Sequence, residues 1–214
     1  MTPVKSNSKA RIVVIVTVCV LAAAAIVAGL LSADSEPRAE AESSSTPLND
    51  DSAEVAATLP AFHRAGNNYT RGAVPNRGGL STLKRLGVRS IVDLRSQYDH
   101  TDEIRQTATA LGLNYYWMPT SVWDPPSDTE AAQFVKLVGD QSKGPFFVFC
   151  GDGLNRTGEM SALHRVINDG LTVEQALKEM DDAGFNPYYY NLRQYVWTYA
   201  RKFRPEAVPA GAKL

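Results

Sequence analysis

Phe147–Met160 reads FVFCGDGLNRTGEM, and the fold turns on how that stretch bends. The apolar run before it, PFFVFC over residues 145–150, has the content and length of a short buried strand. Gly151 and Gly153 interrupt the run, and residues 151–155 must turn through backbone conformations that glycine allows freely. From about Thr157 onward Met160, Leu163 and Ile167 recur at helical spacing, and Gly170 ends the run. Strand, glycine turn and helix in direct succession aim the turn amides and the helix N-terminal N–H groups at one point, a cup for an anion. Cys150 lies at the floor of that cup, and Arg156 adds a planar fork suited to two phosphate oxygens. A thiol in such a place is favoured as thiolate, the nucleophilic form. The arrangement suits cleavage of a phosphate ester through a covalent thiophosphate intermediate.

Cys-x5-Arg-Thr-Gly, here Cys150, Arg156, Thr157 and Gly158, resembles the signature of the protein tyrosine and dual-specificity phosphatase superfamily. Tyr69–Pro75 (YTRGAVP), Gly79-Leu80, Leu83–Val88 (LKRLGV) and Ile91–Arg95 (IVDLR) look like the opening of its compact bacterial, fungal and plant dual-specificity-like branch, so the likeness covers about residues 59 to 185. The resemblance implies that Cys150 is the nucleophile and Arg156 the clamp for phosphate and transition state. It implies that Thr157 hydrogen-bonds the sulfur and helps it leave, and that Gly151, Asp152, Gly153, Leu154, Asn155 and Arg156 wrap the phosphate. It also implies an aspartate general acid on a separate upstream loop, with no metal and no cofactor. TSVWDPPSD (120–128) offers two. Asp128 falls in the first turn of a capped helix, where the dipole already explains an acid. Asp124 precedes two prolines in a loop beside Trp123, which can shield it, and is the preferred general acid, with Asp128 second.

Two departures from the family pattern bear on activity and substrate. Most members carry His where this chain has Phe149, so a brace for the loop and its thiolate is missing and weaker activity is expected. Asp152 makes the turn acidic, and no lysine lies between Cys150 and Arg156. An acid there repels highly anionic substrates by about 1 kcal/mol or more in a partly desolvated cleft. Phosphotyrosine in proteins is therefore expected first, ahead of phosphoserine, phosphothreonine and inositol polyphosphates, although Arg71, Arg77 or Arg95 can still approach the site. The alternatives are a catalytically weak phosphate-binding module, motivated by Phe149 and Asp152, and an inositol-phosphate phosphatase.

Outward from the motif, strands alternate with helices. SIVDLR (90–95) and NYYWMP (114–119) read as further strands. Thr101-Asp102-Glu103 opens a helix that Gly112 closes, and Ser127–Glu130 is a capping box ahead of Phe134, Val135 and Val138. Thr172 and Gln175 form another, for a helix ending near Gly184, and Leu192, Tyr195, Tyr199 and Phe203 mark a last amphipathic helix. The pattern is α/β: a mostly parallel central sheet flanked by helices. Arg95 either lines the cleft or pairs with Asp99 or Glu103. Tyr188–Tyr190 packs the last helix or touches peptide. His63, His100 and His164 lack ligand spacing, so no metal is expected.

The 214 residues carry a net charge of −1, which gives no ground for a nucleic-acid partner. The charge is segmented. Residues 1–11 are basic, and 12–31 (IVVIVTVCVLAAAAIVAGLL) are twenty residues without a charge, long enough as a helix to cross a bilayer core of about 30 Å. Residues 32–58 hold seven acids against Arg38 and no apolar periodicity, which predicts a disordered acidic linker. A phosphatase domain over 59–205 and a tail over 206–214 complete the division. The basic flank places the N-terminus in the cytoplasm and the domain outside it, on a single-pass anchor or, if 12–31 is a cleaved signal peptide, secreted. Cys19 and Cys150 fall in different segments, so no disulfide framework is expected in the domain.

Overall fold

The computed structural model describes residues 52–66 and 68–211. The expected membrane segment 12–31 lies outside them, and among the described residues no helix is long and apolar enough to cross a membrane. Five strands form one sheet: β1 (His63–Arg64), β2 (Tyr69–Ala73), β3 (Ser90–Asp93), β4 (Asn114–Trp117) and β5 (Phe146–Cys150). Their order is β1-β2-β5-β3-β4, and only β1 runs antiparallel, against β2. Parallel neighbours need crossovers. Of the helices α1 (Ala53–Thr58), α2 (Gly79–Arg85), α3 (Asp102–Ala110), α4 (Asp128–Gly139), α5 (Asn155–Ile167), α6 (Val173–Asp182) and α7 (Tyr190–Phe203), α2, α3 and α4 supply the crossovers, and the set covers the faces.

The strand period of two divides β5 between two cores. Phe146, Val148 and Cys150 pack with α4 to α7, whereas Phe147 and Phe149 turn to the other face, among Val55 of α1, Leu80 and Leu83 of α2 and Ala108 of α3. Each fully buried phenylalanine stabilises the fold by about 1.5–3 kcal/mol. A strand buried on both faces reads as a continuous apolar run, as 145–150 does. Both expected capping boxes are present, Ser127 with Glu130 and Thr172 with Gln175.

Three expectations need correction. The linker does not run unstructured to residue 58: Ser52 caps α1 by accepting from the Val55 amide, and Val55 is only 3% exposed. Ala53, Glu54, Ala56 and Ala57 are good helix formers, and one buried valine gives the helix a reason to dock. The C-terminal tail begins later than residue 206, because Pro205–Ala207 forms a 3-10 turn that buries Ala207. Helix α5 starts at Asn155, two residues before Thr157. The strand β2 had no apolar signature, since its YTRGA carries a threonine, an arginine and a glycine, yet all five residues are buried.

Candidate active site

Strands β2, β3, β4 and β5 end at the same edge of the sheet, the crevice where open α/β sheets hold ligands. β5 lies between β2 and β3, so Cys150 emerges at the middle of that edge. It is a free cysteine, 2% exposed. The turn that follows is pinned from both sides: the Val74 amide donates to Gly151 O at 3.1 Å, and the Gly153 amide donates to Cys150 Sγ at 3.3 Å. Gly153 has φ of 74°, and a Cβ there would lie 2.3 Å from the Gly72 carbonyl carbon. Only glycine fits where the turn presses on β2. Leu154 is the helix cap, Asn155 Oδ1 accepts from the Asn186 amide at 2.9 Å, and Asp152 faces solvent.

Arg156 projects from the first turn of α5 and is engaged by a residue that sequence reasoning did not assign to it. Its Nη2 donates to Asp99 Oδ2 at 2.9 Å, and Asp99 Oδ1 accepts from Ser96 Oγ at 2.6 Å. Burial opposes the charge on Arg156, but the Asp99 and Cys150 side chains outweigh it and hold the guanidinium above its ordinary range. Burial likewise works against Asp99, and hydrogen bonds from Arg156 and Ser96 more than reverse that, leaving its carboxyl below the usual range. Arg156 Nε is buried without a partner among the described residues. A signal for Asp99 existed: the loop after β3 must open at the same edge as the cup, and Ser96-Gln97-Tyr98-Asp99 is that loop.

Arg95 pairs with neither expected acid side chain. Its Nε and Nη2 bind Asp93 Oδ1 and Oδ2 at 3.0 and 2.7 Å, and its Nη1 donates to the Asp99 backbone carbonyl at 3.1 Å. Tyr115 OH donates to the same Asp93 at 2.8 Å. The guanidinium carbon lies 5.3 Å over the Phe149 ring, a cation–π contact on the face of the sheet opposite Cys150. Phe149 is thus a packing residue, stacked on Phe147. On the Cys150 side Arg71 does approach the loop: its Nη2 donates to Gly153 O at 2.7 Å and to Leu154 O at 3.4 Å. Thr157 Oγ1 is buried without a hydrogen-bond partner among the described residues, so the bond to Cys150 sulfur implied by the family is not formed here.

The two candidate general acids differ sharply. Asp128 is taken: Tyr195 OH donates to its Oδ1 at 3.0 Å and Lys202 Nζ pairs with its Oδ2, which ties α4 to α7. Asp124 lies in the loop after β4, at the edge where the cup opens. Its carboxylate is exposed and has no partner among the described residues; only its amide is held, by Ser121 Oγ at 3.3 Å. Trp123 does not shield it, being 65% exposed with its ring edge against Tyr189. Beside Arg156 opens a cleft of about 620 Å³ lined by Tyr98, Asp99, Trp117, Thr120 and Trp123.

A buried cysteine under a glycine turn, a helix N-terminus and an arginine six residues on is the geometry that the motif demanded. Residues 60–195 match a family model described as "DSP-PTPase phosphatase fused to NAD+ Kinase". The chain belongs to this DSP-PTPase family. Among curated relatives, the dual specificity protein phosphatase TpbA of Pseudomonas aeruginosa is 29% identical over 125 residues, 58% of this chain. A probable chloroplastic NAD kinase 2 of Oryza sativa subsp. japonica is 29% identical over 97 residues, 43% of this chain and 10% of that protein. The chain spans about half of TpbA, 55% of its length. The crystal structure of TpbA superposes with a TM-score of 0.57 at 25% identity, covering 65% of this chain and 84% of the other. The catalytic core of the PP-IP phosphatase SIW14 from S. cerevisiae gives 0.59 at 15% identity over 70% of this chain and 92% of that one, a likeness of fold. Within the DSP-PTPase frame, Gly151 to Leu154 form the turn after Cys150, Asn155 and Arg156 open α5, and Asp124 lies in the loop that follows β4.

Proposed function

We propose that the chain is a cysteine-dependent phosphatase of phosphate monoesters, acting first on phosphotyrosine in proteins. The observation that carries the reading is the buried Cys150 at the end of the central strand, with the turn amides, the α5 N-terminus and Arg156 gathered over it. Sγ attacks phosphorus, forming an S–P bond as the ester P–O bond breaks, while Asp124 gives its proton to the leaving oxygen. The Asp124 carboxylate then takes a proton from water as the water oxygen attacks phosphorus, the S–P bond breaks, and phosphate and thiolate are released. Arg156 and the amides hold the three non-bridging oxygens throughout.

The cleft beside Arg156 supports an aryl ester. Tyr98, Trp117 and Trp123 expose rings against which a tyrosine side chain can stack. Asp99 and Asp152 oppose a polyphosphate, and Arg71, which donates to the turn carbonyl of Gly153, is buried. TpbA is named a dual specificity phosphatase and has been crystallised with pTyr, which favours the same substrate class here. The stretch 12–31 supports export of the domain on a membrane anchor, which protease accessibility in intact cells tests.

The decisive experiment is turnover of a phosphotyrosine peptide and an aryl phosphate by the reduced protein beside Cys150→Ser. Expected is hydrolysis lost in the serine variant and insensitive to chelator. Saturable vanadate binding with no turnover would make the cup a binding module instead.

A further inference from the structure

The family's histidine is replaced by Phe149, whose ring lies on the far face of the sheet, under Arg95 and stacked on Phe147. The turn is nevertheless held. Arg71 stands on β2 beside Val148, in the register that places Ala73 beside Cys150, and in-register parallel neighbours project to the same face. Arg71 is therefore on the Cys150 side. It is 3% exposed, and its Nη2 reaches the Gly153 and Leu154 carbonyls. In a trans peptide the N–H points opposite to the C=O. Carbonyls drawn down to Arg71 thus turn the amides of Leu154 and Asn155 away from it, toward the mouth of the cup.

The charge of Arg71 is also unusual in having no carboxylate within ion-pair distance among the described residues. Burial works against it, and only the field of Tyr69, Cys150 and Glu179 restores part of the loss. A buried cation without a partner is costly unless an anion meets it, and of these three groups only Cys150 belongs to the cup. Arg71 from β2 and Arg156 from α5 both feel the Cys150 side chain. Asp93 and Arg95 lie on the opposite face, and Asp152 is turned to solvent.

We propose that Arg71 is a positioning residue for Cys150: from beneath the turn it fixes the loop carbonyls, and with them the amides, while its buried charge sustains the thiolate that residue 149 cannot support. Its catalytic consequence rests on the phosphatase reading above; its effect on the sulfur does not.

The test is the rate of Cys150 alkylation by iodoacetamide in the full chain, followed at that cysteine by peptide mass spectrometry so that Cys19 does not contribute, beside Arg71→Met and Arg71→Lys. The pH at which alkylation reaches half its maximal rate should rise by about one unit in the methionine variant, and lysine should stay within about half a unit of the parent. By about pH 9.5 the gap should close, as the thiol ionises in all three. For an aryl phosphate, Arg71→Lys should lower kcat at least tenfold with little change in KM, because the lysine nitrogen lies one bond short of the Nη2 that holds both carbonyls. A folded Arg71→Met with the parent's midpoint, or a rate deficit unchanged at pH 9.5, overturns the proposal. Should methionine prevent folding, full kcat in Arg71→Lys overturns it equally. The expected alkylation pattern with no ester hydrolysed by any variant would sink the phosphatase reading and leave this one standing.

Discussion

Arg156 Nη2 cannot serve Asp99 and a phosphate with the same hydrogen. Arginine binds phosphate side-on through Nε and Nη, and Nε here is buried and unpartnered, with its neighbour given to Asp99. A bound phosphate should therefore displace Asp99 and satisfy both nitrogens. Asp99 is partly exposed, so the pair it makes is worth about 0.5–1 kcal/mol. Asp99→Asn should lower KM for an aryl phosphate, and Ki for vanadate, by roughly two- to fivefold with kcat little changed. A rise in KM would make Asp99 the brace that Arg156 needs. For the leaving oxygen, Asp124→Asn should reduce kcat about 10²–10⁴-fold, whereas Asp128→Asn should keep kcat and lower the unfolding temperature by severing Tyr195 and Lys202. Full turnover in Asp124→Asn removes it from the mechanism. The spacing of Cys150 and Arg156 was legible because the turn is local. The Asp99 contact joins residues 57 apart in sequence, which no local pattern exposes. Arg95 was readable and misread: residues two apart at a strand end share a face, so Asp93 was its nearest acid.

At the scale of one element, α5 carries two buried titratable groups of opposite consequence. Glu159 is fully buried, neither carboxylate oxygen has a hydrogen-bond partner among the described residues, and burial holds its acid well above the usual carboxylate range. His164 is stacked on Tyr69 and held by Asn168. Burial lowers it, to about 4, against the pull of Asp169. For Glu159 the unfolded chain ionises above about 4.5 while the folded one stays protonated, so stability falls as pH rises from there. For His164 the unfolded chain takes a proton below about 6.5 and the folded one does not, so stability falls as pH drops from 6.5 toward 4, by roughly 3 kcal/mol in all. Glu159→Gln should therefore raise stability at pH 7 to 8 and flatten the alkaline side of a denaturation profile, and His164→Gln should flatten the acid side. A Glu159→Gln chain no more stable at pH 8 than its parent would show the carboxylate ionised and solvated. Neither group was visible in the sequence: a lone acid in a helix reads as solvated face, and only packing of α5 against its neighbours buries it.

For the whole molecule, the sequence disclosed the alternation of strand and helix around β5 because double burial makes that strand an uninterrupted apolar run, and capping boxes mark α4 and α6. It concealed both parts that depend on tertiary support. β2 is buried by its neighbours although its own residues are half polar, and α1 is six residues long, too short to be stable alone. The location of the domain boundary follows from α1. Val55 packs into the core that holds Phe147 and Phe149, the Asn76 amide and Nδ2 donate to Thr58 O and Ala57 O at 2.8 and 3.0 Å, and Thr82 Oγ1 donates to Glu54 Oε1 at 3.0 Å. A chain starting at residue 52 should accordingly be more stable than one starting at 59, by on the order of 1 kcal/mol or roughly 2–4 °C in Tm. The loss should propagate to function, because Asn76 is tethered to α1 and the Val74 amide two residues earlier holds Gly151 at the floor of the cup. Chemical denaturation of the two chains, with kcat measured on each, checks both halves. Equal midpoints would return residues 52–58 to the linker, and a lower midpoint with unchanged kcat would mean that α1 supports the core without reaching the turn.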